Sequence, residues 1–195
     1  MNDNMPFSKA HKEKTRVRIL IGAKTLFSNK GFDAVTVNEV MEHCSLTRGA
    51  FYAHFKSKSD LYKEALTFSA ASSQLTQNKP QNTSTKEWLS YLLDGYLSIE
   101  HVRGEKPCPL AFLATDIVSR DSSTKETYAN TYQNFNAIIM DYAGLNSPNN
   151  KADILSLTSM IIGAVAISRT IDDQKVVNEI LTSCRQQARK ILGGI

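Results

Sequence analysis

Apolar side chains recur along this chain at three- and four-residue intervals, the spacing of helices that bury one face. Ile19, Leu20, Ala23, Leu26 and Phe27 form the stripe of a first helix over about 10–29. Lys30-Gly31 supplies its stop, because glycine enters left-handed backbone without a Cβ clash. Thr36-Val-Asn-Glu39 is a capping-box pattern that opens a short helix over about 37–44. Ser45-Leu46 makes a turn, and Thr47 caps a third helix that runs to about residue 54. Ser57-Lys-Ser-Asp60 begins a fourth helix reaching about Leu75.

The stretch from Gln74 to Thr85 is polar, holds Pro80 and has no periodicity, so it is expected to be a loop. Ser84-Thr-Lys-Glu87 starts a fifth helix through Trp88, Leu92, Tyr96 and Ile99. Gly104 and Pro107 interrupt it, and Pro109 suits the first turn of a sixth helix over 109–120. A seventh opens at Ser123-Thr-Lys-Glu126 and carries Tyr128, Tyr132, Phe135 and Ile139 on one stripe until Asn146-Ser-Pro-Asn-Asn150 breaks it. An eighth spans about 151–169 and a ninth about 173–192. No strand pattern and no repeat is visible. The expectation is an all-α protein of about nine helices.

One short helix has an unusual distribution of side chains. In Thr47-Arg-Gly-Ala-Phe-Tyr-Ala-His-Phe-Lys-Ser-Lys58, Phe51 and Phe55 are an i, i+4 pair, and Gly49, Ala50 and Ala53 fall roughly opposite them. A flank facing only solvent would normally carry Lys, Glu or Gln, so the small residues imply that something large comes close. Two short helices joined by a tight turn, the second flanked by bases, describe a helix-turn-helix, whose second helix enters the DNA major groove. In that setting Arg48 has the fork that matches guanine O6 and N7. Thr36, Thr47, Tyr52, His54 and Lys58 are spaced to meet phosphates, and Lys56 is expected to be a solvated charge. Charge agrees: residues 1–60 hold 10 Lys/Arg against 6 Asp/Glu, whereas residues 61–195 hold 13 of each, so all of the +4 lies in the first third. Lys9, Lys12, Lys14 and Arg16 are either an arm toward DNA or a frayed soluble tail.

Residues 19–66 resemble the TetR family of bacterial regulators, most specifically in Phe27-Ser-Asn-Lys-Gly-Phe32, Thr36-Val and Gly49-Ala-Phe-Tyr-Ala-His-Phe-Lys-Ser-Lys58. The resemblance implies an N-terminal helix-turn-helix domain, residues 1–58, and a helical ligand-binding and dimerisation domain, residues 59–195. It puts Arg48, Gly49, Ala50 and Ala53 where the family reads bases. It puts Thr36, Thr47, Tyr52, His54 and Lys58 at phosphate-contacting positions. Ser45 departs from the family, which usually has glycine in this turn; serine can take that turn at some strain. By the same resemblance the protein is a homodimeric repressor joined through its last two helices and released from a palindromic operator by a small-molecule inducer. The apolar residues of the eighth helix, from Ile154 to Ile167, cover more than one face, as burial on two sides requires, whether against a partner or wholly inside the chain.

The middle helices supply the aromatics Trp88, Tyr91, Tyr96, Phe112, Tyr128 and Tyr132 as candidate lining of an inducer pocket, with core packing the alternative for each. Cys108 lies near the start of the sixth helix, with Arg103 and Lys106 close in sequence. A helix N-terminus and nearby cations lower a thiol pKa, which would make it a redox or electrophile sensor. The alternative is a small buried residue. The three cysteines are odd in number and widely spaced, so neither a disulfide framework nor a metal site is implied, and no cofactor is expected. The N-terminus lacks the apolar core of a signal peptide and no run of eighteen apolar residues occurs, which favours the cytoplasm and argues against a membrane span. Two rivals remain. An enzyme built on Cys108 and His101 lacks an orienting group. A sequence-blind DNA-compacting protein would need far more positive charge.

Overall fold

The computed structural model describes residues 9–73, 79–104, 108–145 and 150–193. Among them eleven helices follow one another, and no strand is found: α1 Lys9–Ala34, α2 Val37–His43, α3 Arg48–Phe51, α4 Lys58–Ala71, α5 Thr85–Tyr96, α6 Ile99–Arg103, α7 Pro109–Phe112, α8 Ala114–Ile117, α9 Ser122–Ala143, α10 Lys151–Thr170 and α11 Gln174–Ile191. The nine expected helices become eleven because two of them are divided. The fifth ends at Tyr96, and Ser98 caps a separate α6 by accepting the His101 N–H at 3.1 Å. The sixth is two short pieces, α7 and α8, whose residues are buried in different cores: Leu110 and Ala111 in one, Leu113 and Ile117 in the other. The seventh begins before Ser123, because Asp121 caps it by accepting the Thr124 N–H. The expected breaks at 74–78 and 146–149, Lys106 and Pro107 lie outside the described residues.

Two hydrophobic cores result. The first packs Ile19, Ala23 and Phe27 of α1 against Val40 and Met41 of α2, Phe51 of α3, Phe55, and Leu61, Tyr62 and Leu66 of α4. The second joins α5, α6, α7, α9, α10 and α11 around Leu93, Phe135, Leu157, Ile161 and Leu181. The division expected between residues 58 and 59 falls at the first residue of α4, and the first half of α4 is packed in the headpiece core. Gly22 lets α1 and α2 come close: a Cβ there would stand 2.5 Å from the buried Cys44 sulfur. At the other end of α1, Gly31 breaks the helix with φ 77 and ψ 172, a conformation closed to L side chains.

α10 is long and apolar enough to cross a membrane by length and composition, with a mean hydropathy of 1.5 over eighteen residues. Small residues and hydroxyls interrupt the run without lowering its mean hydropathy below that of a span. Here the helix packs against α6, α7, α9 and α11.

Candidate nucleic-acid interface

The angle between α2 and α3 is set by their turn. Cys44, Ser45 and Leu46 close the end of α2: the Ser45 N–H bonds to Glu42 O and the Leu46 N–H to Met41 O, both at 2.8 Å. This is a Schellman closure, in which the residue after the C-cap takes left-handed backbone. Ser45 holds that position with φ 49, and it is the only non-glycine with positive φ among the described residues. Leu46 then folds back onto the headpiece core. The strain expected at Ser45 is therefore present, where glycine would sit without a Cβ.

α3 is shorter than the expected 47–54. Its α-helical part is four residues, and a turn carries the chain through His54, with Phe55 N–H bonded to Phe51 O at 3.0 Å. Phe51 and Phe55 are buried with ring centroids 5.7 Å apart, which holds the segment on the headpiece. The opposite flank is open. Thr47, Arg48, Gly49, Tyr52 and Ala53 are exposed, and a Cβ built on Gly49 meets nothing within 4 Å. Ala50 is different: it is half-buried against the core, so its small size serves packing as well. Tyr52 is 61% exposed and rests its ring edge-on against Phe51 at 5.1 Å, which aims the hydroxyl outward from a fixed base.

The hydroxyls of Thr36 and Thr47 are in different states. Thr36 caps α2 by accepting the Glu39 N–H at 3.1 Å, which leaves its own O–H proton to donate. The Glu39 carboxylate pairs with Lys30 at 2.5 Å, and that hydrogen bond holds it below the usual carboxylate range. Thr47 stands at the N-cap of α3 with no side-chain cap hydrogen bond. His54 is half-buried, and its Nδ1 is buried without a partner. Burial first, then the positive charges of Lys12 and Arg16, push its pKa down, so it stands neutral as a single-proton donor.

Lys58 is corrected by the structure. Its ammonium donates to Phe32 O and Val35 O, both at 2.9 Å, and lies 4.0 Å from the Phe32 ring centroid. The side chain closes the carbonyl end of α1 rather than reaching outward, where Phe32 O otherwise holds the Val35 N–H at a long 3.4 Å. What this position offers an anion is the amide end of α4. Arg16 is also committed: it lies 4.6 Å over the Phe55 ring and pairs with Glu64. Lys9, Lys12 and Lys14 belong to the first turns of α1, so from residue 9 onward the basic run is helix and not a frayed tail. Neither role of Lys58 nor of Arg16 carries a local sequence signal, since both depend on partners more than twenty residues away.

The sequence profile described as bacterial regulatory proteins, tetR family, matches residues 19–65, which span α2, the strained turn and α3. Over those residues the chain matches the TetR family. It is 42% identical over 57 residues to the regulator AcrR of Shigella flexneri, covering 29% of this chain and 26% of that protein. To the repressor BepR of Brucella suis it is 34% identical over 59 residues, covering 30% and 28%. The match thus spans less than a third of the length of these curated relatives. Across the whole fold, the crystal structure of reduced E. coli NemR superimposes with a TM-score of 0.75 at 15% identity, covering 91% of this chain and 97% of that one, a likeness of fold. None of these TetR-type proteins is named as an enzyme.

The candidate ligand residues divide. Tyr96, Phe112, Tyr128 and Tyr132 pack against the body core, but the hydroxyls already have partners within the protein. Tyr96 Oη stands 3.2 Å from Cys108 Sγ, Tyr128 donates to Leu110 O at 2.6 Å, and Tyr132 Oη lies 3.0 Å from Thr158 Oγ1. Trp88 is buried, whereas Tyr91 is 55% exposed and stacks flat on it, so Tyr91 lies on the surface and lines no interior. A void of about 10 Å³ between α1, α4 and α7 is the size of one water and touches none of these rings.

Of the two readings of Cys108, its surroundings match the small buried residue. Cys108 caps α7 in position, but it is buried, and that burial pushes its thiol pKa up, outweighing the hydrogen bonds that act the other way. Arg103 is turned to α10, donating to Arg169 O at 3.2 Å and to Ile171 O. His101 packs its ring against Tyr96 at 4.8 Å, and its Nε2 has no hydrogen-bond partner.

Proposed function

We propose that this chain is a sequence-specific DNA-binding regulator of transcription that acts as a repressor. The observation that carries the reading is the exposed Arg48-Gly49-Tyr52-Ala53 flank of α3, standing on two buried phenylalanines at the end of a basic headpiece. Arg48 reads a guanine edge, Gly49, Ala50 and Ala53 allow close approach, and Thr36, Thr47, Tyr52 and His54 meet phosphates. Lys58 contributes through the amide end of α4. Residues 1–58 carry the DNA contacts, and residues 59–195 carry assembly and ligand response.

One headpiece reads only a few base pairs, so the working unit is a homodimer on a palindromic operator. The apolar side of α10 supports this assembly: only 39% of its most apolar window is buried within one chain, and Leu155 and Ile167 are exposed. α10 and α11 are the pairing helices. Release by a small-molecule inducer entering among Tyr96, Phe112, Tyr128 and Tyr132 completes the reading, and such a protein works in the cytoplasm. In vitro selection of duplexes by the full chain, followed by competition against random duplex at one salt concentration, tests it. A two-fold symmetric sequence enriched and held by two chains is the expected result; enrichment of no sequence would end the reading.

A further inference from the structure

Several contacts join headpiece to body, among them Arg169–Asn29, Ser59–Asp121 and Lys63–Ser123, and one of the joints is a carboxylate that takes two headpiece donors. Asp116, on α8, turns both oxygens into the headpiece: Oδ1 accepts the Phe32 N–H at 3.2 Å, and Oδ2 accepts the Tyr62 hydroxyl at 2.5 Å. Phe32 follows the Gly31 break, and a Cβ on residue 31 would stand 3.2 Å from the same Oδ1. The backbone bend thus delivers the amide to the carboxylate. Behind it, Arg120 donates from Nε to Asp116 O at 3.1 Å, forks onto Asp33 at 2.8 and 2.5 Å, and lies 4.7 Å from the Phe32 ring centroid. Leu113 and Ile117, on either side of Asp116, are buried in the headpiece core although the chain around them belongs to the body.

A carboxylate holding two donors from different elements resists rotation as well as separation, because each bond constrains a different direction. Phosphate-dominated binding to random duplex tolerates variation in headpiece angle. Reading two half-sites at once does not, since both recognition segments must reach base edges together.

We propose that Asp116 is a positioning residue for DNA recognition, fixing the angle at which the headpiece stands on the body and so the presentation of α3. The inference rests on the DNA-binding reading above. The test compares the full-length wild type with Asp116→Ala, Asp116→Asn and Tyr62→Phe on a duplex selected by the wild type and on random duplex. Amide hydrogen exchange at Phe32 is followed alongside. Asp116→Ala should lose about tenfold or more in affinity for the selected duplex and stay within about twofold on random duplex. Phe32 should exchange about tenfold faster while α10 amides are unchanged. Asp116→Asn should restore most of the selective affinity, because its amide oxygen still accepts the Phe32 N–H. Equal loss on both duplexes, no loss on either, or unchanged Phe32 exchange would overturn the proposal. If Asp116→Ala fails to fold, Tyr62→Phe carries the test: a selective loss of about threefold supports it and none overturns it. Should the wild type itself not prefer any duplex, the DNA reading has failed, and Phe32 exchange still judges the Asp116 anchor.

Discussion

Replacing Ser45 by glycine should make this protein more stable, although the change removes atoms. Ser45 is exposed and held at φ 49 by the closure of α2, with its N–H bonded to Glu42 O and the next amide bonded to Met41 O. A side chain in left-handed backbone costs about 1–2 kcal/mol from the Cβ-to-carbonyl contact. Glycine relieves that contact, but it frees the unfolded chain by about 0.5–1 kcal/mol, which opposes the gain. The difference is a net stabilisation of about 0.5–1 kcal/mol, and for a chain of this size about 1 kcal/mol moves Tm by about 2–4 °C. Thermal unfolding of the full chain by circular dichroism, with Ser45→Ala as control, measures it. Alanine keeps the Cβ and should give no gain. A lower Tm for Ser45→Gly with an unchanged Ser45→Ala would refute the reasoning, because it would mean the turn carries no left-handed strain to relieve.

Three further outcomes are expected. Lys58→Met should cost about 2 kcal/mol by leaving Phe32 O and Val35 O without their charged donor, while the slope of log affinity against log salt on random duplex stays the same; a slope flatter by about one unit would return the ammonium to a phosphate. Cys108 should react with a disulfide reagent about tenfold or more slowly in the native protein than in urea, since burial disfavours its thiolate; equal rates would restore it as a sensor. His101 is held below its ordinary value of 6.5, chiefly by burial and further by the charge of Lys24. The unfolded chain then binds its proton first, so the stability present above pH 6.5 should be lost progressively as pH falls below it, and His101→Phe should flatten that loss in urea titrations at pH 7.5 and about 5.5.

How much could be read from the chain alone depended on the range of the interactions involved. Ser84-Glu87 and Ser57-Asp60 announce helix starts because the capping bonds lie within four residues, and both form as expected. The Gly31 break and the strain at Ser45 are legible for the same reason. The open flank of α3 follows from helical spacing fixed by Phe51 and Phe55. Splitting of the sixth helix was not legible, since it reflects two cores competing for Leu110 and Ile117. Charge and position make Lys58 read as a phosphate contact, whereas its ammonium is held by carbonyls 23 and 26 residues earlier. Cys108 reads from the chain as either a sensor or a small buried residue, because the helix start is local whereas the burial that separates the two comes from distant elements. The Asp116 joint, spanning 84 residues to Phe32, leaves no local pattern at all.

The most direct measurement is the affinity of Arg48→Ala for a selected duplex and for random duplex at the same salt concentration. If α3 reads bases through that guanidinium, the variant loses about 1–3 kcal/mol on the selected sequence, relaxes preference at one base position, and binds random duplex nearly as before. Equal weakening on both duplexes would contradict the account, leaving Arg48 as one more phosphate contact on a headpiece that does not read sequence.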